Sequence, residues 1–241
     1  MLKYIVILLM SLLLQADEAQ DIMKKIDENM RGQNIYMKMT MTITSMGHSR
    51  TMKMQTWAKG TKKSFVKTIY PPKDRGITFL SLNNQMWQYV PKIERIIKIP
   101  PSMMLQNWMG SDVTNDDMVK QSSLIDDYSA KILSKEGDVV RMELTPKEDA
   151  AVVWGKIISE INTKTYTSQK DTFYDEDSEI VRYFLYKDVQ KFGKYYMAKS
   201  WTIQPADRPN NKTEILLDEI KYDSDISEQY FRKSALKRFS R

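Results

Sequence analysis

Cysteine is absent from this chain of 241 residues. That removes disulfides, thiol nucleophiles, thiolate metal sites and a lipid-modified N-terminal cysteine. Histidine occurs once, at His48, within Met46-Gly47-His48-Ser49, a stretch of turn composition. A Ser-His-Asp arrangement needs a histidine between a nucleophile and a carboxylate, and no G-x-S-x-G is present. Zinc sites are built mainly from Cys and His, so one histidine leaves that chemistry without ligands. The eight glycines form no phosphate-cradling loop. The acidic runs Asp116-Asp117, Asp126-Asp127 and Asp175-Glu176-Asp177 look like caps and turns, and adjacent residues of a strand face opposite ways. We expect no catalytic residue, no cofactor and no metal.

Long apolar runs are also missing, with one exception. Tyr4–Leu14 is apolar, follows Lys3, and ends at Gln15-Ala16 before the polar Asp17-Glu18. A membrane span needs roughly 20 residues, so the run fits a signal peptide cleaved near Ala16. The expected organisation is a signal peptide over 1–16 and one exported domain over 17–241. Net positive charge is small in the body. The net charge of +6 is concentrated in the tail, where Arg232, Lys233, Lys237, Arg238 and Arg241 stand against Glu228. A nucleic-acid groove spreads positive charge over the body instead, so no nucleic-acid partner is expected.

What is present is alternation. Ile35, Met37, Met39, Met41 and Ile43 interleave with Tyr36, Lys38, Thr40, Thr42 and Thr44, the period-two signature of a strand with one apolar face. Met52 and Met54 continue it. Further strand-like windows follow at 63–70, 76–82, 85–90, 93–99, 128–135, 140–144, 156–164, 168–175, 179–189, 194–204 and 212–222, separated by turn residues such as Asn83-Asn84, Gly137-Asp138 and Phe192-Gly193. Short strands at regular spacing predict an antiparallel meander, and a sheet of about eleven strands must curl or close. The fold class is therefore mainly β, a single antiparallel sheet that curls or closes. One amphipathic helix precedes the strands, with Asp17 and Gln20 at capping-box spacing and Ile22, Met23, Ile26 and Met30 in one stripe. Another is expected from Glu228 to Phe239, capped by Ser227.

The alternation stops at Pro100-Pro101, since proline donates no ladder hydrogen bond. Ser102 is placed to cap a short helix carrying Met103, Met104, Leu105, Trp108 and Met109, with Gly110 to end it. Thr114 and Asp117 form a capping box for Asn115–Lys120. So greasy a segment must lie on something apolar, either as a permanent plug or as a lid. The 17 methionines favour a surface that adapts to its ligand. Candidate ligand-binding residues are Met39, Met41, Met52, Met54, Trp87, Tyr89, Met103, Met104, Leu105, Trp108 and Met109. Arg95, between Ile93 and Ile97, is the candidate polar anchor for lid carbonyls or a headgroup.

The wording Met86-Trp87-Gln88-Tyr89-Val90-Pro91, then Arg95, Lys98-Ile99-Pro100-Pro101-Ser102-Met103-Met104, Trp108-Met109-Gly110-Ser111-Asp112 and Asn115-Asp116-Asp117 resembles the LolA-like outer-membrane lipoprotein-sorting proteins. The resemblance implies a half-open antiparallel barrel with short helices over its concave face, a periplasmic location, and an apolar cavity for lipid or lipoprotein acyl chains. It implies a monomer that works between an inner-membrane permease or transporter and an outer-membrane acceptor. An envelope sensor or regulatory lipid-binding module is the second reading.

Overall fold

The structure, a computed structural model, describes residues 2–120, 124–150 and 152–241, with side chains from Asp17 onward except that of Lys120. The apolar side chains of the expected signal peptide lie outside the described residues. The backbone of that stretch is helical and runs unbroken into the amphipathic helix, giving α1 (Leu2–Arg31). No helix therefore starts at Asp17, because the residues before it are already helical.

Each expected strand window is a strand. In chain order they are β1 (Asn34–Ser45), β2 (His48–Lys59), β3 (Lys63–Tyr70), β4 (Thr78–Leu82), β5 (Gln85–Val90), β6 (Arg95–Ile99), β7 (Tyr128–Glu136), β8 (Val139–Pro146), β9 (Lys156–Asn162), β10 (Thr167–Tyr174), β11 (Ile180–Phe192), β12 (Tyr195–Pro205) and β13 (Lys212–Tyr222). They form one 13-stranded sheet rather than one of about eleven. The short β4 and β6, expected over 76–82 and 93–99, each pair along their whole length with β5. The spatial order is β6-β5-β4-β3-β2-β1-β13-β12-β11-β10-β9-β8-β7. The first and last strands thus pair in the middle, Met41 opposite Ile215, while β6 and β7 are free edges. The sheet is not closed. It is a curved half-barrel.

This order has a topological consequence. β6 and β7 are consecutive in sequence but lie at opposite ends of the sheet. The segment 100–127 between them must cross from one edge to the other. Its described residues, 100–120 and 124–127, form a strap over the inner face.

The inner face carries most of the core. Along β1 the inward residues Ile35, Met37, Met39, Met41 and Ile43 are all buried, and their neighbours are not. Met52 and Met54 join them from β2, and Met197, Trp201 and Ile203 from β12. The second half of the sheet adds Val140, Met142, Leu144, Ile157 and Ile161 beneath Ala19, Ile22 and Met23 of α1. The outer face bears a smaller cluster of Phe65, Leu80, Trp87 and Tyr89, covered by Ile226, Phe231, Ala235 and Leu236. That cover is not one helix from Glu228 to Phe239. The Ser227 hydroxyl caps a 3₁₀ turn over Glu228–Phe231. Arg232 is then extended, and α-helix resumes only over Lys233–Arg238.

Candidate functional site

The strap is built from local signals. Its two prolines set an extended entry, and Pro101–Met103 is a 3₁₀ turn. A second 3₁₀ turn covers Trp108–Gly110. The single helix expected from Ser102 to Gly110 is therefore split, because Asn107 is extended and bridges to Thr114 instead. Gly110 has φ +68°, a left-handed conformation that favours glycine. The capping box forms as read. Thr114 N–H donates to Asp117 Oδ2 at 2.7 Å, and Asp117 N–H to Thr114 Oγ1 at 3.1 Å. It starts α2 (Asn115–Lys120), and the helical turn α3 (Leu124–Asp127) follows.

Three polar tethers fasten the strap to the sheet. Thr213 of β13 receives a hydrogen bond from Asp112 N–H at 2.9 Å and donates to Asp112 Oδ2 at 2.8 Å. Arg50 of β2 donates to the Met109 carbonyl. Arg182 of β11 grips Asp117 with both terminal nitrogens, at 2.7 and 2.6 Å, and also reaches the Asp112 carbonyl at 3.3 Å. Its guanidinium stands 4.2 Å from the ring centre of Trp154, 4.6 Å from Phe173 and 4.7 Å from Phe184. Only 3% of Arg182 is exposed. A planar cation suits this setting, since it stacks on rings and forks onto a carboxylate together.

Between the strap, α1 and the inner face lies a cavity of about 150 Å³. Met37, Met39 and Met41 form its middle wall, Ile26 and Met30 of α1 one side, and Trp108, Val113 and Met118 of the strap its roof. An aromatic arc of Trp154, Phe173, Phe184, Tyr186 and Trp201 completes it. Four carboxylates approach the cavity. Asp116, Asp117 and Asp127 come from the strap, and Asp171 alone comes from the sheet. Asp171 is 6% exposed and accepts from the Tyr186 hydroxyl at 2.9 Å through Oδ2. Burial raises its pKa above the ordinary carboxylate value, opposed in part by the nearby Ser159, Tyr186 and Ser168 hydroxyls. Burial also lifts Tyr186 well above its usual value, with Asp171 adding to the effect.

The expected site residues divide. Met39, Met41 and Trp108 line the cavity. Met52 and Met54 are fully buried in the same core, paired with Met41 and Met39 on the inner face, but do not line the cavity. Met104 and Met109 pack against that core from the strap. Met103 and Leu105 turn outward, 36% and 56% exposed, because the 3₁₀ turns break the helical stripe that would have faced them inward. Trp87 and Tyr89 lie on the outer face. Met86 of the same strand points inward, and period two sends its neighbours outward. Arg95 pairs with Val90 on the free edge β6 and is exposed. The carbonyl-holding role foreseen for it is performed by Arg50 and Arg182. The second half of the cavity, from Tyr128 to Trp201, was missed. Its aromatic residues follow no simple alternation, so no face was legible. His48 is exposed at the start of β2. Among the described residues, no group of three or more His, Asp or Glu side chains is placed to hold a metal ion, and no helix is long and apolar enough to cross a membrane.

An open, curled antiparallel sheet with a helix and a strap over its hollow defines the LolA-like fold, and comparison with solved structures agrees. A DUF1329 family protein from Desulfovibrio piger superposes with a TM-score of 0.85 at 20% identity, over 92% of this chain and 99% of its own. A putative outer membrane lipoprotein-sorting protein domain from Vibrio parahaemolyticus gives 0.81 at 20% identity, over 92% and 100%. A LolA superfamily protein from Nitrosomonas europaea gives 0.76 at 20% identity, over 90% and 98%. The chain belongs to a family described only as uncharacterized protein, whose model matches residues 60–238. No curated protein matches it.

Proposed function

We propose that this protein is a non-enzymatic periplasmic carrier. It shields an apolar ligand, a lipid or the acyl chains of a lipoprotein, while relaying it between an inner-membrane transporter and the outer membrane. The observation that carries this reading is the cavity beneath the strap, walled by methionine and aromatic side chains and closed by polar tethers rather than by packing alone. Methionine walls adapt to ligands of differing shape. Cavities of this size hold a benzene-sized apolar guest, so the closed form takes a segment of a chain, and a longer ligand requires the strap to lift. Each methylene buried contributes roughly 0.8 kcal/mol, enough to hold an acyl segment yet release it. The fold relatives that share this architecture include one described as lipoprotein-sorting, which supports the cargo class. Export by a signal peptide over 1–16 is part of the same proposal.

The test is extraction of the purified protein followed by lipid mass spectrometry. A stoichiometric amphiphile retained by the native protein and lost from Met39→Asp supports the carrier. A protein that returns no lipid, and takes none up from vesicles, sinks it.

A further inference from the structure

The cavity contains a feature that a plain hydrocarbon site does not need. Among the inward residues of β9, β10 and β11, two charged side chains are buried. Arg182 is one, and Asp117 neutralises it from the strap. Asp171 is the other. Its register places it between Ser159 of β9 and Phe184 of β11, on the face that lines the cavity. Tyr186 occupies Oδ2, but Oδ1 is buried with no hydrogen-bond partner. The Ser159 and Ser168 hydroxyls lie close enough to favour its charge, while Oδ1 has no hydrogen bond of good geometry. A buried carboxyl oxygen with nothing to bond is costly, and apolar side chains would fill this wall at no such cost.

We propose that Asp171 is the polar anchor of the ligand site, and that the ligand class is a neutral hydroxylated lipid whose hydroxyl bonds Oδ1 while its apolar body lies along the methionine wall. This deepens the carrier reading and rests on it. A hydroxyl both donates and accepts, so it satisfies this carboxyl in its ionised form and, equally, in the protonated form that burial favours. An anionic headgroup meets like charge there. Tyr186 and Thr167 also line the cavity, whereas its middle wall at Met37, Met39 and Met41 is apolar.

The experiment uses the full chain and two probes of equal length, 8-bromooctan-1-ol and 1-bromooctane. Bromine quenches tryptophan, and Trp108, Trp154 and Trp201 line the cavity. Asp171→Leu is expected to weaken the alcohol about tenfold while the bromoalkane binds as before or more tightly. Asp171→Asn, which can still donate and accept, retains the alcohol. Bromine anomalous scattering from wild-type crystals keeps the test independent of the variants: the bromine of the alcohol should lie far from Asp171, with the hydroxyl on Oδ1. Equal weakening of both probes by Asp171→Leu, no change in the alcohol, or a hydroxyl directed elsewhere overturns the anchor while leaving a carrier. Failure of both probes to bind wild-type protein overturns the anchor and the carrier together.

Discussion

The sheet has a short, broken helical cover on each face, and the two covers are held by different physics. On the outer face, Leu236 and Ala235 are fully buried. Tyr230 stacks between Trp57 and Phe239 with ring centres 4.5 Å apart on both sides. Hydrogen bonds from Thr78 to the Leu236 carbonyl and from Ser240 to the Gly76 carbonyl, both 2.7 Å, pin it further. On the inner face, the strap buries Trp108 and Val113 but spans a cavity and depends on three polar tethers. Stacked rings must give up their buried area to lift. When both partners reach water, a neutral hydrogen bond costs only about 0.5–1.5 kcal/mol net and a charged one about 1.5–3. On the carrier reading proposed above, the outer cover is a plug and the inner one is the part that comes away.

The largest effect that sharpens this contrast is expected at the buried tether. Arg182→Ala leaves the Asp117 carboxylate without its partner and should lower unfolding stability by about 3–5 kcal/mol in urea titrations. A loss below 1 kcal/mol would show that the pair is not what holds the strap. Next comes Leu236→Ala, which opens a void in the plug and should cost about 3 kcal/mol. Quenching by 8-bromooctan-1-ol should be unchanged, since the plug lies on the other face. A simultaneous loss of quenching would erase the distinction between the covers.

Thr114→Ala removes one half of the capping box and should cost about 1 kcal/mol. Its effect should be local, seen as faster amide exchange over residues 108–119 with protection of β3–β5 retained. The smallest effect is at the rim of the plug. Lys59 and Lys63 hold the Glu228 pKa down to about 2 from an ordinary 4.5. A carboxylate depressed on folding contributes stability that is present above 4.5 and lost as pH falls towards 2. Glu228 is exposed, so a slight fall in Tm between pH 5 and 2.5, abolished by Glu228→Gln, is the expected result.

The same contrast explains what was legible in the sequence. Strands such as β1, with one apolar and one polar face, announced themselves by alternation. The capping box at Thr114 and Asp117 gave α2 to the residue. β5 carries apolar side chains on both faces because both are covered, so Met86 and Trp87 could not be sorted, and Trp87 and Tyr89 were assigned to the wrong side. β11 presents Arg182, Phe184 and Tyr186 inward with Tyr183 and Leu185 alternating between them, which hides its inner face. Arg182 and Asp171 looked like ordinary surface charges. Only the pairing of β10 with β11 shows that they stand on one apolar wall.

The absence of cysteine makes a direct test of the strap possible. Asp112 and Thr213 meet side chain to side chain, Oγ1 to Oδ2 at 2.8 Å, and a double variant, Asp112→Cys with Thr213→Cys, would carry the chain's sole thiols. Ligand uptake is then measured by tryptophan quenching with 8-bromooctan-1-ol, before and after reduction. Uptake that is blocked in the oxidised protein and restored by dithiothreitol is the predicted result. Equal uptake in both states would contradict a strap that must lift for the cavity to fill.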